Sequence, residues 1–464
     1  MLETNKLALQ LHYPDLYKKM NEITLENFLY NIHPAKNGQM TFAVQKKEKL
    51  YYLHSRYNPE REVEQWVYAI ETDADIIVVV GIGLGYALPH LAVKFEGRKV
   101  VVIEPDLHTF SAALAHVDFS TWLKDDSFTF LVGCDAFLIG YILAESIWNN
   151  MLSLDSVYIT AFPVYERMNP SLVKTIKEQI SVQWMNLQVQ EATHKRFSKA
   201  WITTTLKNIS YINRDMSAAY ISEALHNLPV ILIAAGPSLE KNIHILKRLQ
   251  NRAVLFAVGS AVNILENHGI EPHIIMAIDS AESERNIFAR TCFSSALLLY
   301  TQMLHPDIVH IYPGPKAWVK LKEDRGTEYV CKRLNVPYIE AADGPSVANV
   351  AFDFISKQLR PSAIILVGQD LAYTNDQTHA RGAVHDTSVK LDEEGFILLE
   401  DVEGNMVRTT SGFIAMKNFF EVYMQYEQPS VPVYNCTEGG LPIRGIPNYS
   451  LIEIAEKECK HTLP

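Results

Sequence analysis

The chain has 464 residues, enough for two or three domains of ordinary size. Hydrophobic residues make up 48% and charged ones 20%, so a packed core is expected and a disordered chain is excluded. The net charge of -11 argues against a nucleic-acid partner, whose phosphates need clustered Lys and Arg.

Five scattered cysteines, Cys134, Cys292, Cys331, Cys436 and Cys459, form no CxxC. Neither a zinc site nor a disulfide framework is indicated, and a reducing cytoplasm is the expected location. The first twenty residues carry charge throughout and hold no secretory core. The longest uncharged run, 76–93, is broken by Gly81, Gly83, Gly85 and Pro89. It reads as strand, turn and helix, so no membrane span is expected.

Residues 1–70 look mixed, with a hairpin-like piece at 40–53. A first β-α-β pattern begins at Asp75, with a glycine turn at 81–86 (GIGLGY) and Glu104 closing the next strand. That spacing resembles the nucleotide turn of S-adenosylmethionine methyltransferases. Asp73 and Asp75 form a DxD, but before a strand, on the wrong edge of the sheet for metal-assisted sugar transfer. Strand-like runs at 128–132 and 156–161 complete a domain over 1–165. Residues 166–215 read as a helical connector.

The second α/β pattern fills 216–450, with 451–464 as a tail. Its strand candidates are 230–234, 253–258, 273–278, 296–300, 309–312 and 363–367. A polar loop is expected at 376–410, a helix at 413–426 and a last strand at 431–435. The fold class is therefore α/β, with two Rossmann-like doubly wound domains.

Polar residues gather where the second domain's strands should end. They are Gly236, Pro237 and Ser238, then Gly259 and Ser260, then Asp279, Gln302, and Gly368 with Asp370. Parallel strands set these ends side by side, and ligands bind there. Gly236 admits close backbone approach, Pro237 stiffens the turn, and Ser238 caps a helix or meets a phosphate. Asp343, Gly344 and Ser346 open an apolar helix with free amides and a positive dipole end. The segment after Asp370 holds His379 and His385, either of which suits a general base.

The stretches IAAGPSLEKN, AVGSAVNILENHGIEPHIIMAIDS, DGPSVANVAFDFI, LVGQDLAYTNDQTHA and YNCTEGGLPIRGIP together resemble the motility-associated factor (Maf) family of bacterial flagellin glycosyltransferases. The likeness runs over about 200–450, and the amino-terminal half fits the family's layout. The central domain is similar to bacterial sialyltransferases, with Gly236, Ser238, Ser346, Gly368 and Asp370 at matching positions. The resemblance implies transfer of a nonulosonic acid, pseudaminic or legionaminic or a related keto sugar, from a CMP-activated donor to Ser or Thr hydroxyls of flagellin. Inversion is implied, with no metal and no further cofactor required. Three other readings stand beside it, one of them a non-catalytic flagellin-binding chaperone with a vestigial nucleotide site. Archaeal pterin diphosphokinases share the Gly-Pro-Ser-Leu turn, and the Gly81 loop leaves methyl transfer open.

Overall fold

The computed structural model describes residues 1–21, 31–46, 49–221, 225–289, 291–374, 377, 379–383 and 396–464. They form two compact units, Met1–Thr193 and His194–Pro464. Where the sequence suggests a connector at 166–215, one helix, Leu172–Asn208, runs through the division.

The first unit opens with two helices, Glu3–His12 and Pro14–Asn21, followed by an antiparallel sheet of β1 (Asn31–Pro34), β2 (Met40–Lys46) and β3 (Lys49–Tyr52). A parallel sheet follows: β4 (Ile76–Val80), β5 (Lys99–Glu104), β6 (Phe128–Val132) and β7 (Val157–Ala161), in the order β6-β5-β4-β7. Strand β4 reads IIVVV and every residue is buried, as expected for a parallel strand covered on both faces. The chain winds outward from β4 to β6, then returns to place β7 on the other side of β4. The winding reverses between β4 and β7.

The second unit is built on an eight-stranded sheet. Its first strands are β8 (Met216–Ser217), β9 (Pro229–Ile233), β10 (Val254–Val258), β11 (Ile274–Ala277), β12 (Leu297–Tyr300) and β13 (Lys316–Trp318). A short pair, β14 (Lys320–Leu321) and β15 (Glu340–Ala341), precedes β16 (Ala363–Val367). A hairpin of β17 (Ile397–Glu400) and β18 (Met406–Thr409) precedes β19 (Val433–Asn435). The large sheet runs β19-β16-β9-β10-β11-β12-β13-β8, parallel throughout. Side chains alternate between two cores: Ile231, Ile233, Leu255 and Ala257 on one face, Val230, Leu232, Val254 and Phe256 on the other. Here the winding reverses between β9 and β16.

Three local expectations are corrected. The run 309–312 is not a strand, because Pro306 at a helix start and the His305 cap set the helix Pro306–Ile311; the strand lies later, at β13. The polar loop 376–410 carries the β17–β18 hairpin. Residues 451–464 are no loose tail: the helix Leu451–Glu458 buries Leu451 and Ile454 in the second unit's core. Among the described residues no helix is long and apolar enough to cross a membrane.

Candidate active site

A reversal of winding leaves two adjacent strand ends whose helices depart to opposite faces, and a crevice opens between them. In the second unit that crevice lies over β9 and β16. It holds a cavity of about 180 Å3 lined by Gly236, Gly259, Ser260, Ser346, Gly368, Asp370 and His379. Seven sequence-chosen residues thus meet at one place. Val258, Leu371, Phe413 and Met416 make the rest of the wall largely apolar.

Asp370 is the knot of this crevice and is 2% exposed. Ser238 Oγ donates to its Oδ1 at 2.6 Å, and the Ser238 amide reaches Oδ1 at 3.3 Å and Oδ2 at 3.2 Å. Thr374 Oγ1 donates to Oδ2 at 2.9 Å. Burial raises the Asp370 pKa, while the bonds from Ser238 and Thr374 act the other way. Ser238 stands at the cap position of the helix Leu239–Leu249 but makes no side-chain cap bond, because its hydroxyl serves Asp370. The glycines follow from this closeness. A Cβ on Gly236 would overlap the Asp370 carboxylate, and one on Gly440 would overlap the Asp370 backbone.

The remaining wall is set by helix starts and one pinned loop. Ser346 caps the helix Val347–Phe354, accepting from the Asn349 amide at 3.3 Å and donating to Asn349 Oδ1 at 2.7 Å. The amides of Val347 and Ala348, both lining the cavity, belong to the first turn and have no partner within the helix. His379 lines the cavity, and the next amide, Ala380 N, donates to Ala235 O at 2.9 Å. Ala380 itself is fully buried.

Other sequence-chosen residues lie apart from the cavity. Pro237 sits in the same turn but is not part of the cavity wall. Asp343 Oδ2 accepts from the Glu323 amide at 3.0 Å, and a Cβ on Gly344 would press on Asn349, so both shape the approach to the helix start. Gln302 is fully buried, and its carbonyl accepts from Asn208 Nδ2 at 3.0 Å. Asp279 ends β11. Its surroundings raise its pKa although its outer side is open to solvent. Glu284 is 8% exposed, and burial pushes its carboxyl up to about 8, with the Asp279 charge adding. His385 lies outside the described residues. Among those described, no group of three or more His, Cys, Asp and Glu is placed to hold a metal ion.

Sequence reasoning missed Thr374, Leu371 and the pair Gly439–Gly440. Leu371 takes a left-handed backbone, φ 56°, directly after Asp370. Only the doubled glycine after the last strand signalled a close backbone approach.

The first unit's crevice, between β4 and β7, is filled by its own side chains. Tyr165 lies against Gly81, and its hydroxyl accepts from the Gly83 amide at 3.2 Å and donates to Glu104 Oε2 at 2.6 Å. His54 Nε2 accepts from the Leu84 amide at 2.8 Å, and burial lowers the His54 pKa to about 3. Glu104 is 1% exposed and also accepts from the amides of Ile82 and Asp106, each at 3.2 Å. Its carboxylate is therefore engaged inside the protein, and the side chains of Tyr165, His54 and Phe119 lie against Gly81, Gly83 and Gly85 of the glycine turn.

The chain was compared with known proteins. Residues 13–127 match the family model of the glycosyltransferase Maf N-terminal domain. Residues 203–376 match that of the 6-hydroxymethylpterin diphosphokinase MptE-like family. An uncharacterized protein of Treponema pallidum (strain Nichols) is 22% identical over 265 residues, 53% of this chain and 85% of the relative. The solved Maf glycosyltransferase of Magnetospirillum magneticum AMB-1 has a similar fold, with a TM-score of 0.55 at 16% identity, over 97% of this chain and 74% of that one. Residues 13–127 are thus similar to the N-terminal domain of Maf glycosyltransferases, and the chain shares its fold with a solved Maf glycosyltransferase.

Proposed function

We propose that this protein transfers a nonulosonic acid from a CMP-activated donor to Ser or Thr hydroxyls of flagellin. The observation that carries the reading is the β9–β16 crevice, where Gly236, Gly259, Gly368 and the Ser346 helix start meet over a buried Asp370–Ser238 pair. Glycines let the backbone approach a nucleotide, and first-turn amides with a positive helix end suit its phosphate. The apolar wall of Val258, Leu371, Phe413 and Met416 suits a flat base.

In the reaction the acceptor oxygen attacks the anomeric carbon as the bond from that carbon to the phosphate oxygen breaks. The acceptor proton passes to His379 in the cavity wall, and CMP departs with the bonding electron pair. Amide donors stabilise the growing phosphate charge. Asp370 positions: it holds the Ser238 turn in the shape that receives the nucleotide. Attack opposite the leaving group gives inversion.

The test is thermal unfolding with 1 mM CMP, ATP or S-adenosylmethionine, each with and without magnesium. A rise with CMP alone supports the assignment. The match to the diphosphokinase family over 203–376 favours a second reading, diphosphate transfer from ATP. A rise with ATP and magnesium but none with CMP would establish that reading instead. Intact-mass analysis of flagellin co-expressed with this protein and a verified CMP-sugar supply then checks the acceptor.

A further inference from the structure

One polar side chain in the β9–β16 crevice is left unclaimed by its surroundings. Gln369 stands between Gly368 and Asp370, just past the end of β16, and lines the cavity of about 180 Å3. It is 7% exposed, so its side chain has little access to bulk water. Its backbone is fixed: the Gln369 amide donates to Thr437 Oγ1 at 3.1 Å, and Thr437 is fully buried. Its neighbours are tied as well, Gly368 through its carbonyl to the Gly236 amide at 2.8 Å, and Asp370 through Ser238 and Thr374.

The carboxamide has no such ties. Gln369 Oε1 is buried without a hydrogen-bond partner, and Nε2 donates to no group among the described residues. Proteins leave few buried amides unpaired, because an unpaired one keeps its desolvation cost and gains nothing in return. Gln369 differs here from Asn242 and Asn349, whose side-chain nitrogens donate to Cys436 O at 3.1 Å and Met416 O at 3.0 Å. The side chains of Leu371 and Phe413 in the same wall offer it neither donor nor acceptor. Rotation about the last side-chain bond exchanges oxygen and nitrogen at little cost, so either end can face the cavity.

A free amide in a largely apolar slot matches a flat ring that carries a donor and an acceptor side by side. Cytosine has such an edge: its 4-amino group donates and its N3 accepts. We infer that the Gln369 carboxamide pairs with that edge and seats the base of the nucleotide. Oε1 accepts from the 4-amino group and Nε2 donates to N3, so one ligand satisfies both unpaired ends. Away from bulk water such a pair counts for more than on an open surface. A turned-over amide meets the uracil edge equally well, so this contact fixes where the base lies and does not by itself choose cytosine. The inference rests on the reading of the β9–β16 crevice as the nucleotide site.

Calorimetric titration of the full chain tests it with two probes, CMP and ribose 5-phosphate, which lacks the base. Wild type is compared with Gln369→Met, which keeps the length of the side chain and loses both polar ends. CMP affinity is expected to fall about tenfold, the usual weight of one paired base contact, while ribose 5-phosphate affinity stays unchanged. The empty variant should melt no lower than wild type, because the carboxamide has no partner to lose. Gln369→Leu, a second apolar side chain, is expected to behave alike. In both variants, unchanged CMP affinity, an equal loss for the two probes, or a lower melting temperature without ligand overturns the inference and leaves the nucleotide site standing. Failure of wild type to bind CMP overturns both.

Discussion

Asp370 shows how a residue chosen for chemistry can act through shape. Both carboxylate oxygens are taken up by Ser238 and Thr374, so neither is placed to take a proton from an incoming hydroxyl. Removing the carboxylate leaves the Ser238 amide and hydroxyl buried without an acceptor, which typically costs a few kcal/mol. Asp370→Ala is therefore expected to lower stability to urea by about 2–4 kcal/mol. Thr374→Val, which removes one donor, should cost about 1 kcal/mol. Unchanged stability in Asp370→Ala, with activity gone, would restore a direct catalytic role. Gly236→Ala is expected to abolish the melting rise with CMP, since its Cβ would displace the same carboxylate. The residue types were legible in the sequence because glycine, serine and aspartate, each an ordinary turn or cap residue alone, recur at successive expected strand ends. Their pairing was not, since Ser238 and Asp370 lie 132 positions apart and only the β9–β16 pairing joins them.

At the scale of the element, two crevices of one topology have opposite contents. The second unit's crevice keeps a cavity, while the first unit's holds Tyr165, His54 and Glu104. The glycine pattern alone could not separate the cases. Gly81 and Gly83 admit the protein's own rings as readily as a cofactor, and Tyr165 comes from the helix Pro163–Met168, far along the chain. The filled crevice has a pH signature. Burial raises Glu104 from the ordinary 4.5 to about 7, so the fold favours its protonated form. That stabilisation is complete below pH 4.5 and is lost as pH rises through 7. The span corresponds to about 3 kcal/mol, declining over that interval. Glu104→Gln cannot ionise and should flatten the decline in unfolding free energy of the first unit between pH 6.5 and 8; below pH 6.5 His54, held neutral in the fold, gives an opposing slope. A variant that keeps the wild-type slope would place the titrating group elsewhere.

For the molecule as a whole, the sequence told the class of both units because their strands are continuous apolar runs with helical stretches between them. Strand order was hidden. Nothing local indicates that β16, late in the chain, inserts beside β9 and turns five expected strand ends into one crevice of three strands. Each unit has its own cores: those around Phe110 and Ile139 lie in the first, those around Trp318 and Phe352 in the second. Separate cores open with separate free energies, so a ligand should protect only the unit that binds it. Hydrogen exchange read by mass spectrometry on the full chain checks this. CMP is expected to slow exchange in β9, β10 and β16 and to leave β4 and β5 unchanged. Glu104→Gln at pH 8 should slow β4 and β5 and leave the second sheet unchanged. Protection of β4 by CMP would mean that the filled crevice opens to a nucleotide, and the division of labour between the units would have to be redrawn.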